Sequence, residues 1–371
     1  MNSVIQMYDP KREYQQHRVD IDKSIQRVLD HGIFINGPEV KQLENELSSF
    51  ISVKHSIAVS NGTDALKIAL LALDIKPGDE VITVAHTWIS TAEVISIINA
   101  IPVFIDIEED SFNMDHTKID EAITSNTKAI IIVSLYGQIG NIDKVNEIAS
   151  KHNLPVIEDG AQSFGATYNG KYSGSLTTIG TTSFFPSKPL GCYGDGGACF
   201  TNDDVLAYKM RAIKSHGGVK RFHHDFIGLN GRLDTLQASI LLEKLKYYKN
   251  TIEKRNKCAN VYSEKLSVLN EHIILPKISD NKSSVWAQYT IVCKNKNLRD
   301  DIVAHMKLNN VNIAIFYPAP LHKQKCFENN SISFNLDVTE HLCDSIFNLP
   351  CYGEITESEQ DYICKTLVDF F

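Results

Sequence analysis

Residues Glu80 to Ile107 read EVITVAHTWISTAEVISIINAIPVFIDI. Glu80 to Ala85 is apolar and rich in β-branched side chains, the composition of a buried strand. Thr91 to Ile98 brings its apolar residues back at helical spacing, and Pro102 to Ile107 is strand-like again. Strand, helix and strand in so short a stretch form the crossover unit of a parallel sheet. The alternation continues on both sides. Ser56 to Val59 is a short apolar run, followed by Asn61-Gly62-Thr63-Asp64 and the amphipathic ALKIALLAL. Lys128 to Leu135 reads as a strand, Asp143 to Lys151 as a helix and Leu154 to Glu158 as another strand. The pattern predicts an α/β fold, a mostly parallel sheet covered by helices. Ligands of such sheets bind at the C-terminal ends of the strands.

Near residue 234 the texture changes. TLQASILLEKLKYYKNTIEKRNKCANVYSEKL (Thr235 to Leu266) reads as one long, charged helix, and shorter elements such as VWAQYTIVC follow it. Residues 1–250, including this connector, are expected to form a large domain, and residues 251–371 a smaller α+β domain.

The chain has 371 residues, 43% of them hydrophobic, which suffices for a sizeable core and for more than one domain. Lys and Arg total 37 against 45 acids, a net charge of -8, which argues against a nucleic-acid surface. The polar N-terminal stretch MNSVIQMYDPKREYQQ lacks the apolar core of a secretion signal, and no run is long and apolar enough to span a membrane. Eight cysteines occur without a C-x-x-C pair, the pattern of reduced thiols in a cytoplasmic protein. No metal site is expected.

Three segments carry chemistry. In Thr182-Ser183-Phe184-Phe185-Pro186-Ser187-Lys188-Pro189-Leu190-Gly191 a lysine sits among prolines and aromatics that exclude water, with Gly194, Gly196 and Gly197 beyond it. Desolvation makes a lysine amine nucleophilic, and glycines let backbone N–H groups approach a phosphate. A surface loop with an incidental lysine is the plainer reading. In Pro155-Val156-Ile157-Glu158-Asp159-Gly160-Ala161-Gln162 an acid ends a strand. Asp159 could cap the next helix, or hold a pyridine nitrogen protonated. Ser60-Asn61-Gly62-Thr63-Asp64 opens a helix, where an anion site and a simple N-cap explain the residues equally well.

Taken in order, GPEVKQLE, NGTDAL, PGDEVIT, VIEDGAQSFGA, SFFPSKPLG, YGDGGA, GLNGRLDTLQA and YPAPLH resemble the DegT/DnrJ/EryC1/StrS family of sugar aminotransferases over nearly the whole chain. The resemblance implies the fold-type I architecture, with a mostly parallel seven-stranded sheet in the large domain, and pyridoxal 5'-phosphate (PLP) as cofactor. It implies that Lys188 bonds to the cofactor aldehyde and then moves the proton, with Asp159 on the pyridinium nitrogen and Gln162 at the ring hydroxyl. Gly62, Thr63 and Ser183 are implied at the phosphate, Trp88 stacked on the ring, and Asn230 reaching in from the neighbouring subunit of a homodimer. L-glutamate is the implied donor.

SFFPSKPLGCYGDGGA and the basic Lys220-Arg221-Phe222-His223-His224 loop are similar to the enzymes that aminate C3. Among these stands the group acting on UDP-2-acetamido-2-deoxy-3-oxo-glucuronate for bacterial surface polysaccharides such as lipopolysaccharide O-antigen. Arg232, His223, Tyr317 and His322 are the substrate-binding candidates. The chain departs from that group in having Phe316-Tyr317-Pro318 where His-Tyr-Pro is usual, and Asn230-Gly231-Arg232 where Asn-Ser-Arg is typical. A dTDP-linked 3-oxo sugar or a 4-oxo sugar is the alternative substrate, and a non-catalytic PLP- or sugar-nucleotide-binding protein the alternative class. A dehydratase of the same fold would carry histidine in place of Lys188.

Overall fold

The computed structural model describes residues 4–371, so the first three residues of the polar N-terminal stretch lie outside the described residues. The strands are β1 His55–Val59, β2 Glu80–Val84, β3 Ile101–Ile105, β4 Thr127–Val133, β5 Val156–Asp159, β6 Thr167–Tyr168, β7 Lys171–Tyr172, β8 Ile179–Ser183, β9 Gly197–Thr201, β10 Ile273–Ile274, β11 Tyr289–Cys293, β12 Ile332–Ser333 and β13 Ile346–Leu349. The helices are α1 Pro10–His31, α2 Pro38–Ile51, α3 Gly62–Ala72, α4 Ser90–Ile97, α5 Ile119–Ala122, α6 Ile142–Lys151, α7 Asp204–Ile213, α8 Thr235–Leu266, α9 Lys296–Leu308, α10 Asp337–Ser345 and α11 Glu357–Val368.

The main sheet runs β1-β9-β8-β5-β4-β2-β3-β12. Pairings from β8 through β12 are parallel, and β9 alone runs against its neighbours. Seven strands match the expected sheet. The eighth, β12, adds two residues from the C-terminal part beside β3. Strands buried on both faces read as unbroken apolar runs, and β2 and β4 show why. Val81, Ala129 and Ile131 face the cluster built with α3, α4 and α7. Ile82, Val84, Ile130 and Ile132 face the opposite cluster, which α6 covers through Ile142, Val145 and Ala149. Each such side chain contributes about 1.5–3 kcal/mol by leaving water.

Helix ends follow local chemistry. Asp9 accepts from the N–H groups of Lys11 and Arg12 at the start of α1, where Pro10 needs no donor partner. Gly37 precedes Pro38 of α2, and a Cβ there would lie 2.6 Å from Thr235 Cγ2, so only glycine lets α2 begin this close to α8. A separate apolar cluster gathers Tyr262 of α8, Ile291 of β11, Met306 of α9, Phe347 of β13 and Leu367 of α11. α8 runs unbroken through residue 250, and its earlier residues Leu241 and Tyr248 pack in a cluster with α2 and Phe184. The expected 250/251 boundary therefore falls inside a helix shared by both cores.

Candidate active site

β1, β2, β4, β5 and β8 run in the same direction, and the segments leaving their C-terminal ends meet on one edge of the sheet. Asp159 is the last residue of β5 and pairs in register with Thr181 of β8, five residues before the Pro186-Ser187-Lys188 turn. The Asp159 carboxylate is buried. Thr91 Oγ1 donates to its Oδ2 at 2.7 Å, and the Ala161 N–H donates to its Oδ1 at 3.2 Å. Burial raises the Asp159 pKa, against the pull of the Thr91 and Ala161 donors and of the Lys188 charge. Lys188 is half-buried, and the surrounding atoms lower the pKa of its amine, partly offset by the charge of Asp159. The charge of each group thus opposes the effect of burial on the other.

Gly62 and Thr63 form the first turn of α3, whose N-cap Asn61 accepts from Asp64 N–H. Gly197 pairs with both Val59 and Ser183, bringing the α3 N-terminus against the end of β8. A Cβ on Gly62 would stand 2.8 Å from Ser183 Cβ, so the two backbones approach closely here. Thr63 Oγ1 lies 2.7 Å from Ser90 Oγ at the start of α4. A helix N-terminus flanked by three hydroxyls is a seat for an anion.

Gln162 is fixed on both sides. Its Oε1 accepts from Tyr136 N–H at 2.8 Å, and its Nε2 donates to Tyr317 Oη at 3.2 Å. Trp88, 58% exposed, lies beside Tyr317 with ring centroids 6.1 Å apart. Behind them Tyr136 Oη donates to the Phe316 carbonyl and lies 2.8 Å from His86 Nε2. The tyrosine has one proton to give, so His86 carries its own on Nε2 and accepts at Nδ1 from Cys343 Sγ, 3.3 Å away. Burial lowers the His86 pKa to about 4, which keeps the ring neutral.

Of the residues singled out in the sequence, Lys188, Asp159, Gln162, Gly62, Thr63, Ser183, Trp88 and Tyr317 lie around this edge. His322 sits in a turn tied to β2 by the Leu321 N–H bond to Ala85 O, and its Nε2 lies 3.0 Å from Glu340 Oε1. Asn230, Arg232 and His223 are elsewhere on the chain. Asn230 is exposed, Arg232 bridges Val59 at the outer side of β1, and His223 bonds within its own loop to Arg221 O. Sequence reasoning missed Thr91, Ser90, Tyr136 and His86. Their signal was position: each leaves the C-terminal end of β2 or β4. One further group, Glu108, Asp115 and His116, places potential metal-ligand atoms within 4.8 Å of one another. Its carboxylates are already held by Ser111, Asn141 and Thr117.

Residues 15–368 match the model of the DegT/DnrJ/EryC1/StrS aminotransferase family, and the chain belongs to it. It is 46% identical over 366 residues to a UDP-2-acetamido-2-deoxy-3-oxo-D-glucuronate aminotransferase of Pseudomonas aeruginosa, covering 99% of this chain and all of that one. It is 38% identical to a UDP-N-acetyl-3-dehydro-alpha-D-glucosamine 3-aminotransferase of Acidithiobacillus ferrooxidans, covering 96% and 95% of the two chains. Among solved structures, NtdA from Bacillus subtilis, crystallised with bound cofactor PMP, superposes with a TM-score of 0.93 at 33% identity. That match covers all of this chain and 86% of the other.

Proposed function

We propose that the enzyme uses PLP to convert the 3-oxo group of a UDP-linked 2-acetamido sugar into an amine, with L-glutamate as donor. The observation that carries this reading is the buried Asp159 carboxylate, held by Thr91 and Ala161 at the end of β5, together with the Gly62–Thr63–Ser183 anion seat, whose Ser183 stands five residues before Lys188. The residues fit the cofactor group by group. The seat takes the phosphate, Gln162 the ring hydroxyl, Trp88 a ring face, and Asp159 the protonated ring nitrogen. Bound there, PLP supplies an electron sink for bond changes at the amino-bearing carbon.

The protein's own contribution is positional and protonic. Asp159 Oδ2, steadied by Thr91, holds a proton on the ring nitrogen. Lys188 Nζ is the base and then the acid that moves the proton at the reacting carbon. The closed Tyr136–Gln162–Tyr317 chain fixes the wall against which substrate lies.

The 3-oxo, UDP-linked substrate rests on the names of two relatives at 46% and 38% identity. Arg232, whose buried Nε has no partner, is the candidate for a carboxylate or a phosphate of the substrate. The exposed Asn230 supports a homodimer with shared sites. Residues 1–250 are read as the cofactor domain and 251–371 as the smaller one, supported by the apolar cluster that Tyr262, Ile291, Met306, Phe347 and Leu367 form. Eight free cysteines support a cytoplasmic setting, and no helix of the described residues is long and apolar enough to cross a membrane. Supply of an amino sugar to lipopolysaccharide O-antigen is the fitting use.

The test is the absorbance of the purified holoenzyme. Glutamate should remove the visible band of the lysine-bound cofactor, and a UDP-3-oxo sugar should restore it. Restoration by a dTDP-linked or 4-oxo sugar instead would reassign the substrate. Loss of the glutamate response would remove the transaminase reading.

A further inference from the structure

A pocket of about 160 Å³ opens between α1, α2 and α8, and it shares no residue with the site around Lys188. Glu39, Gln42 and Glu46 of α2 line one wall, at the three- and four-residue spacing that puts them on one face of the helix. Glu39 is only 5% exposed, and its Oε2 is buried with no hydrogen-bond partner. Its other oxygen, Oε1, lies 3.3 Å from His31 Nε2. No lysine or arginine among the described residues reaches either acid at salt-bridge distance. The cations that line the pocket are engaged elsewhere. Glu243 of α8, itself buried, takes Arg27 at 3.6 Å and Lys246 at 2.5 Å. A carboxylate oxygen withdrawn from water and given no donor is costly to keep, and a cation entering the pocket removes that cost.

The spacing of the two acids decides which cation. Seven residues of helix set Glu39 and Glu46 about 10.5 Å apart along the axis. A single metal ion holds carboxylate oxygens at about 2.0–2.6 Å and cannot serve both. Two ammonium groups can. A charge-assisted bond of about 2.8 Å at each end leaves about 5 Å between the nitrogens, the reach of a short alkyl chain. Leu242 and Leu245 of α8 line the same pocket and offer an apolar surface to the methylenes of such a chain. We infer that the pocket binds a short alkyl diamine, with one ammonium on Glu39 Oε2 and the other on Glu46. The inference stands independently of the sugar and of the amino donor.

The experiment is calorimetric titration of the holoenzyme with putrescine, n-butylamine and Mg²⁺ at one fixed salt concentration. Putrescine should bind at least about tenfold more tightly than n-butylamine, the scale of one charge-assisted contact. E39Q and E46Q should each weaken putrescine by a similar factor and leave the glutamate-driven absorbance change intact. Glutamine keeps the shape of glutamate, and Glu46 is exposed, so E46Q decides the matter even if E39Q disturbs α2. Putrescine should also raise the melting temperature of the wild type, and less so that of either variant. No detectable binding of putrescine to the wild type, or an unchanged affinity in a folded variant, overturns the inference. Equal affinity for n-butylamine overturns it too, because the second carboxylate would then have no part. Mg²⁺ binding that E39Q abolishes, in place of putrescine binding, would assign the pocket to a metal ion instead. If glutamate fails to alter the wild-type spectrum, the transaminase reading falls while the titration still decides the pocket.

Discussion

Thr91 Oγ1 lies 2.7 Å from Asp159 Oδ2, joining the first turn of α4 to the end of β5 across 68 residues of sequence. This hydroxyl opposes the burial that would otherwise protonate the carboxylate. Thr91→Val therefore raises the Asp159 pKa further. A hydrogen bond to a charged group is worth about 1.5–3 kcal/mol, so kcat should fall roughly 10- to 100-fold. Thr91→Ser should retain most of it. Steady-state kinetics on the two variants check the expectation, and equal loss in both would detach Thr91 from Asp159.

Lys188 is held below the ordinary lysine pKa by burial, while the Asp159 charge pulls it back up. The rate at which apoenzyme takes up PLP should therefore rise with pH as the amine loses its proton. Asp159→Asn removes the charge that favours the protonated amine, so the midpoint of that rise should move to lower pH. Stopped-flow absorbance measures it. Lys188→Ala should keep the wild-type circular dichroism spectrum and lose about 10²–10⁴-fold in proton transfer.

Gly62→Ala puts a methyl group 2.8 Å from Ser183 Cβ. Overpacking of this kind costs about 1–3 kcal/mol. The variant should melt at lower temperature and hold PLP less tightly. Combining it with Ser183→Gly should recover the melting temperature, because the atom it meets is gone, without recovering PLP affinity.

His86 is buried and neutral, with a pKa of about 4 against an ordinary value near 6.5. Between those values the unfolded chain binds the extra proton, so stability rises with pH there and is lost as pH falls from about 6.5 to 4. The loss is on the order of 3 kcal/mol by linkage. Denaturant titrations at several pH values should show this slope in the wild type and a shallower one in His86→Gln.

Arg232 keeps a buried Nε with no partner. Leaving a donor unpaired costs about 1–3 kcal/mol, so Arg232→Met should hold or raise the melting temperature. The same variant should raise KM for an acidic sugar nucleotide and leave the glutamate half-reaction untouched.

β1 to β5 were legible because they are buried strands separated by helices, and each lies within about two residues of its expected place, whereas β8 and β9 were not read as strands and α3 begins three residues before ALKIALLAL. Lys188, Asp159 and Gln162 were legible because their flanks are distinctive. Thr91 and Tyr136 were not, because what defines them is a partner 68 or 26 residues away, and a lone hydroxyl or tyrosine carries no periodic signal. β12 escaped for want of length: two residues have no alternation to read. VWAQYTIVC was read only as one of the shorter elements, and within it β11 begins at Tyr289. Trp286 takes a positive φ of 47°, and its N–H bonds Ser284 Oγ, which turns the chain before the ladder starts.

The wall behind Gln162 is completed by Tyr317, which follows it by 155 residues. At a translation rate of about 5–20 residues per second, the ribosome delivers that wall roughly 8–30 s after the sheet strand that precedes Gln162. A nascent chain therefore carries Gln162 well before it has the residue that finishes the site. Competence is the last thing synthesis confers.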